Sequence, residues 1–152
     1  MLDYADADWG GCLDTRRSTT RYDFKAFGGP VAWKSRRQLT TALSRMEAEN
    51  MASSNAARQA SWLRQLLSDL GFCQSSPTVF NDNNAAILLG KNPVNHDRAK
   101  HDIIYHHIRD DIESGKIDIT YIPSADNLAV TKSLSSDSHE RLTAKLGLSR
   151  RS

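Results

Sequence analysis

The chain has 152 residues, 39% of them hydrophobic, enough for one globular domain with a buried core. Its 20 basic residues nearly balance 18 acidic ones, so net charge alone does not mark a nucleic-acid binder, and any binding face must come from local clustering. Cys12 and Cys73 form no CxxC pair, which argues against a disulfide framework or a cysteine zinc site.

Residues from Leu2 to Trp9 and from Thr19 to Ser35 are rich in aromatic and β-branched types, and Gly28-Gly29-Pro30 breaks the second stretch. This predicts three strands, two of them joined by a tight turn. From about Ser44 to Leu70, Ala52, Ala56, Ala60, Leu63, Leu67 and Leu70 recur at helical spacing, and Gly71 follows as a stop. Pro77 to Asn81 reads as a short buried strand, and Asn83 to Leu89 as a brief helix. A further helix is expected from about Lys100 to Glu113, ending at Gly115. Ile117, Ile119 and Tyr121 then alternate with Asp118 and Thr120 in a strand that Pro123 stops, and two short helices finish the chain. The order implies an α/β fold, a mixed sheet covered by helices; the pattern does not fix its strand order. We expect one domain over residues 1–148 and a short basic tail over 149–152. The start, Met1-Leu2-Asp3-Tyr4, has no basic stretch followed by an apolar run, and no window approaches a membrane span. A reducing, cytoplasmic setting without secretion signal or membrane partner is expected.

Four carboxylates carry the chemistry. Asp6 lies inside the first strand, where a buried charge needs compensation and a metal is one such partner; an edge strand with Asp6 and Asp8 in water is the plain alternative. Asp8 shares the face of Asp6 by strand alternation, which cannot choose between them. On the long helix, Glu49 is seven positions before Ala56 and in line with the apolar stripe, whereas Glu47 is offset by about 200° and faces solvent. Asp82 and Asp126 each fall at a predicted helix start, where an aspartate also serves as a cap. Together, four acidic residues could hold two hard divalent cations about 4 Å apart. Such a pair supports attack of metal-activated water on a phosphodiester.

The segments YADADWGGCLDTRRSTT, GGPVAWKSRRQ, ALSRMEAEN, FNDNNAAI, IPSADNLA and HERLTAKLGL, in this order, resemble the ribonuclease H domain of copia-type retrotransposon Pol polyproteins. The resemblance implies a five-stranded mixed sheet flanked by helices and two Mg²⁺ ions, with Mn²⁺ as an alternative. It places the catalytic and metal-binding carboxylates on Asp6, Glu49, Asp82 and Asp126. The implied substrate is the RNA strand of an RNA–DNA hybrid, cut endonucleolytically to 3′-hydroxyl and 5′-phosphate ends. A reverse transcriptase domain of the parent polyprotein is the implied partner, and retrotransposon particles an implied location. The chain departs from the family at Asn50, where tyrosine is usual, and at Arg21, where glycine is usual. A segment near His101 is one residue short, and only Val130 separates Ala129 from Thr131-Lys132. The last departure predicts a poorly held Asp126, and a non-catalytic remnant that binds duplexes through a basic hairpin is the second reading.

Arg16, Arg17, Arg21, Lys34, Arg36 and Arg37 flank that hairpin and are candidates to track a nucleic-acid backbone; a solvated hairpin surface is the plain alternative. Trp9, Trp33 and Trp62 read as packing residues. His96, His101, His106, His107 and His139 lack the cysteine or HExxH context of a zinc site and read as exposed helix polarity.

Overall fold

Alternation at the start of the chain produces strand β1, Leu2–Asp8, and the next two runs produce β2, Thr19–Ala26, and β3, Gly29–Arg37. The turn between β2 and β3 has two residues, Phe27 at φ 53° and Gly28 at φ 86°, and such paired positive φ values match the right-handed twist of the strands it joins. The computed structural model describes residues 1–72, 76–84, 87, 109–129 and 135–147. The brief helix expected from Asn83, most of the one from Lys100, His96 to His107, Cys73, the Val130 segment and the basic tail lie largely or wholly outside these residues.

The long helix is α1, Arg45–Asp69. Its start resembles a capping box: the side chain of the N-cap Ser44 accepts from the amide of Glu47, and Oε2 of Glu47 reaches back one residue beyond the N-cap to accept from the amide of Leu43 at 2.6 Å. At its end, Phe72 N donates to the Leu67 carbonyl and Gly71 N to that of Ser68, with Gly71 at φ 84°, the bond pair of a Schellman stop. Residues 109–113 are helical and end in the same pattern at Gly115. Strands β4, Thr78–Asn81, and β5, Asp118–Tyr121, and helix α2, Ser136–Lys145, follow among the described residues.

The strands form one mixed sheet in the order β3-β2-β1-β4-β5, antiparallel from β3 to β1 and parallel from β1 to β5. Ala5, Tyr22, Phe24, Val79 and Ile119 of the sheet pack against Ala56, Ala57, Ala60 and Leu63 of α1. Ala7, Ala42, Ala48 and Ala52 form a second cluster near the start of α1, where small side chains let helix and sheet approach closely. Leu67 is half-buried, and Leu70, the C-cap, is exposed, so the apolar stripe fades where the helix leaves the sheet.

Two expectations are corrected here. Trp9, Trp33 and Trp62 are 55%, 73% and 57% exposed and contribute little to the core, whose helix side is built mainly of alanine. The region after Pro123 is not a helix start: residues 124–126 form a turn closed by Asp126 N donating to the Pro123 carbonyl at 2.8 Å. Asn127 then uses its side-chain Oδ1 to accept from Ala129 N at 3.0 Å, a local bond that competes with helix formation.

Candidate metal centre

β1 and β4 pair only from Leu2↔Thr78 to Tyr4↔Phe80. Beyond that point the ladder stops, and Asp6 on β1 lies past it, near the ends of both strands. Asp82 follows β4 directly, and Glu49 stands one turn into α1. One carboxylate oxygen from each of Asp6, Glu49 and Asp82 comes within 4.8 Å of the others. The sequence segments are far apart; the strand ends and the alanine-lined start of α1 bring them together.

Burial makes this cluster electrostatically costly. Glu49 is fully buried, and burial first, then the charges of Asp6 and Asp82, push its carboxyl up to about 8. A hydrogen bond from Asn81 Nδ2 to Glu49 Oε2, at 3.3 Å, and the charge of Arg45 oppose that rise. Asn81 also donates to Ser53 Oγ at 3.0 Å, so a buried amide on β4 fixes both the carboxylate and the helix that carries it. Glu49 Oε1 and Asp82 Oδ1 are buried without a hydrogen-bond partner, and the other Asp82 oxygen accepts from the Ser124 hydroxyl. Three clustered carboxylates with two unbonded buried oxygens fit a hard divalent cation, which prefers oxygen donors and offsets their mutual repulsion.

The other candidates are placed differently. Asp8 lies outside the cluster, its Oδ1 accepting from the amide of Thr19, its register partner at the start of β2. Glu47 is engaged at the start of α1, its side chain accepting from the amide of Leu43 and its own amide donating to Ser44 Oγ. The structure does not bring Asp126 into the group: its Oδ1 accepts from Lys145 Nζ at 2.7 Å, and this partner on α2 holds its carboxyl below the usual range. Asp82 is bonded through Ser124 across to the 124–126 turn, so the turn that carries Asp126 adjoins the cluster.

The six basic residues fall on different surfaces. Arg21 pairs in register with Asp6 on one side and Ser35 on the other, and its Nε donates to Ser35 Oγ at 3.1 Å. Arg37 and Trp33 share that face by alternation. Lys34 lies over the Tyr22 ring, 5.8 Å from its centroid, on the opposite face with Arg36. Arg16, at φ 54°, and Arg17 are exposed in the loop before β2. His139 is exposed on α2.

Sequence reasoning missed Asn81, Ser124, Asn127 and Arg45. Each is a polar residue in or beside a quoted segment, but only its spatial partner gives it a role.

No family model matches the chain. It is 38% identical over 127 residues, 83% of its length, to the retrovirus-related Pol polyprotein from transposon TNT 1-94 of Nicotiana tabacum. It is 35% identical over 151 residues, 97% of its length, to that from transposon RE1 of Arabidopsis thaliana. In both cases it spans 10% of the relative's length. Among solved structures, LC11-RNase H1, crystallised in complex with an RNA/DNA hybrid, superposes with a TM-score of 0.60 at 12% identity, covering 83% of this chain and 87% of that one. The five-stranded mixed sheet with helices is therefore a ribonuclease H fold. No helix among the described residues is long and apolar enough to cross a membrane.

Proposed function

We propose, starting from the fact that this chain is homologous to a segment of the retrovirus-related Pol polyproteins of plant transposons and has a ribonuclease H fold, that it is a copia-type ribonuclease H domain. It is a metal-dependent endonuclease that hydrolyses the RNA strand of RNA–DNA hybrids. The observation that carries this reading is the convergence of Asp6, Glu49 and Asp82, with two buried oxygens lacking hydrogen bonds.

In this reading Asp6, Glu49 and Asp82, with Asp126 joining from the neighbouring turn, would hold two Mg²⁺ ions, or Mn²⁺ in their place. When bound, the ions supply an activated water for in-line attack on the phosphodiester and neutralise charge on the leaving oxygen. The chain's own residues do the rest. Asn81 fixes the orientation of Glu49, and Ser124 fixes that of Asp82. Glu49, whose carboxyl sits near 8, gives up its proton as the ligand set becomes anionic. Arg21, cross-strand from Asp6, and the exposed Trp33 and Arg37 extend the same face and meet backbone phosphates and the hybrid's groove. Arg16 and Arg17, exposed in the loop before β2, add charge at the edge of the hairpin, whereas Lys34 and Arg36 extend the basic surface on the opposite face. The hybrid in the LC11-RNase H1 complex supports this choice of substrate. The working partner is the reverse transcriptase domain of the parent polyprotein, and the working place is the cytoplasm and retrotransposon particles.

A second reading is favoured by one observation, the Lys145 ammonium seated on Asp126: a remnant that keeps the fold and binds hybrids without cutting them. Incubation with a labelled RNA–DNA hybrid and Mg²⁺ or Mn²⁺, beside single-stranded RNA, separates the two. Cleavage confined to hybrid RNA establishes the enzyme; a gel shift of hybrid without product establishes the remnant.

A further inference from the structure

Arg45 is the first residue of α1, directly after the N-cap Ser44. A cation there meets the positive end of the helix dipole, so the position is unfavourable unless something nearby offsets it. Two members of the carboxylate cluster do. Arg45 Nε lies 3.9 Å from Glu49 Oε1, and its second nitrogen, Nη2, lies 3.9 Å from Asp82 Oδ2. The guanidinium thus spans the mouth of the cluster, touching one carboxylate on its own helix and one beyond β4.

The geometry is that of a removable counter-ion. Both separations exceed hydrogen-bond length, so the attraction is coulombic and not fixed by directional bonds. The Arg45 side chain is 50% exposed, while those of Glu49 and Asp82 are 0% and 4% exposed. One partner can therefore swing into water while the others stay. Glu49 Oε1, which faces Arg45, is one of the two buried oxygens without a hydrogen bond. A closer, doubly charged ion bound to that oxygen would displace the guanidinium.

We propose that Arg45 is the resident counter-ion of the Asp6, Glu49 and Asp82 cluster, which a divalent cation must displace, so that Arg45 sets the metal affinity of the site and supports it when metal is absent. This role rests on the metal-centre reading given above. It assigns Arg45 neither substrate contact nor a part in bond cleavage.

The test is Mn²⁺ binding at pH 8, followed by isothermal titration and by the loss of the free-ion electron paramagnetic resonance signal. Wild type is compared with Arg45→Gln, Arg45→Lys, Asp82→Asn and Arg58→Gln. Arg58 is a matched control, since it lies on α1, loses the same charge and bonds Asn55 instead of the cluster. Arg45→Gln should bind Mn²⁺ roughly tenfold more tightly than wild type, an effect of the size expected for removing a partly exposed competing charge. Arg45→Lys and Arg58→Gln should stay within about threefold of wild type on the same grounds, and Asp82→Asn should lose most binding. In chelator, Arg45→Gln should melt below wild type and recover the difference on adding Mn²⁺. If Arg45→Gln does not fold in chelator, refolding it in Mn²⁺ gives the same comparison, and failure to recover there counts against the role. Binding by wild type that Arg45→Gln leaves unchanged or weakens overturns the counter-ion role alone. Absence of Mn²⁺ binding in every form overturns the metal centre as well.

Discussion

Asn127 Nδ2 donates a 2.9 Å hydrogen bond to the carbonyl of Ala5, tying the turn that carries Asp126 to the first strand, 122 positions away in sequence. Ala5 lies just past the last residue of β1 that pairs with β4, so its carbonyl has lost its ladder partner on that side and Asn127 takes the place. Both residues are fully buried. Asn127→Ala therefore strands a buried acceptor and is expected to lower the unfolding free energy by about 1–3 kcal/mol. Urea denaturation measures this; a loss below about 0.5 kcal/mol would mean that water or another donor replaces the amide.

Asp82→Asn keeps the size of the side chain and one acceptor oxygen but removes the charge a hard cation requires. Hybrid cleavage should fall by at least a hundredfold, on the order seen when electrostatic stabilisation is lost, with little change in circular dichroism. A variant that cuts at the parental rate would restrict Asp82 to its bond with Ser124 and remove it from the metal centre.

Asp3 provides a pH prediction. Its carboxylate is fully buried between Phe24 and Val79 of the neighbouring strands, neither oxygen has a hydrogen bond, and burial pushes it up to about 7 against the pull of the Met1 ammonium. A folded-state value above the unfolded one means that Asp3 favours folding most when protonated, below the ordinary carboxylate range. That contribution is lost as pH rises toward 7. The loss is on the order of 4 kcal/mol across this window. Asp3→Ala should flatten the stability profile between pH 4 and 8 and should be the more stable form at pH 8. Parallel profiles for the two proteins would refute the assignment. Glu49 adds a slope of the same sign in chelator, and the substitution leaves that part in place.

Lys145→Met should raise the Asp126 carboxyl toward its ordinary value, because the bond to Lys145 is the main cause of its depression. The sign is opposite to that for Asp3: the wild-type pair supports folding above the unfolded carboxylate value and loses that support as pH falls. Carbon-detected NMR titration of Asp126 reads the change directly. An unshifted titration would show that the ammonium is not held there in solution.

How much of this was legible beforehand varied with the kind of signal. The phase of Glu49 against Ala56 was periodic, and periodicity survives folding, so its inward placement was readable, as were the strands around Gly28 and the stop at Gly71. Asp6 and Asp8 shared one alternation, and what separates them is the Thr19 amide at the start of β2, which occupies Asp8. The turn at 124–126 was misread as a helix start because Asp and Ser serve both, and the deciding contact, Asn127 to Ala5, is remote. The tryptophans were misread because residue type gives a burial tendency and not a position; Trp9, for example, uses its ring nitrogen to hold the Ala42 carbonyl at 3.2 Å while its ring stays largely in water. Arg45 had no visible reason in sequence at all, since a cation at a helix start reads as a small penalty until Glu49 and Asp82 are beside it.

The strand order has a consequence for the chain as it is made. β1, β2 and β3 are successive and antiparallel, so they can pair as soon as residue 37 has emerged, but the other edge of β1 must wait for β4 at Thr78. During synthesis that edge is a template open to any neighbouring nascent chain. It carries Asp3, Asp6 and Asp8, three negative charges in seven residues, which repel an identical strand arriving in the same register. The acidity that makes the finished sheet harder to close thus keeps the unfinished one from closing on the wrong partner.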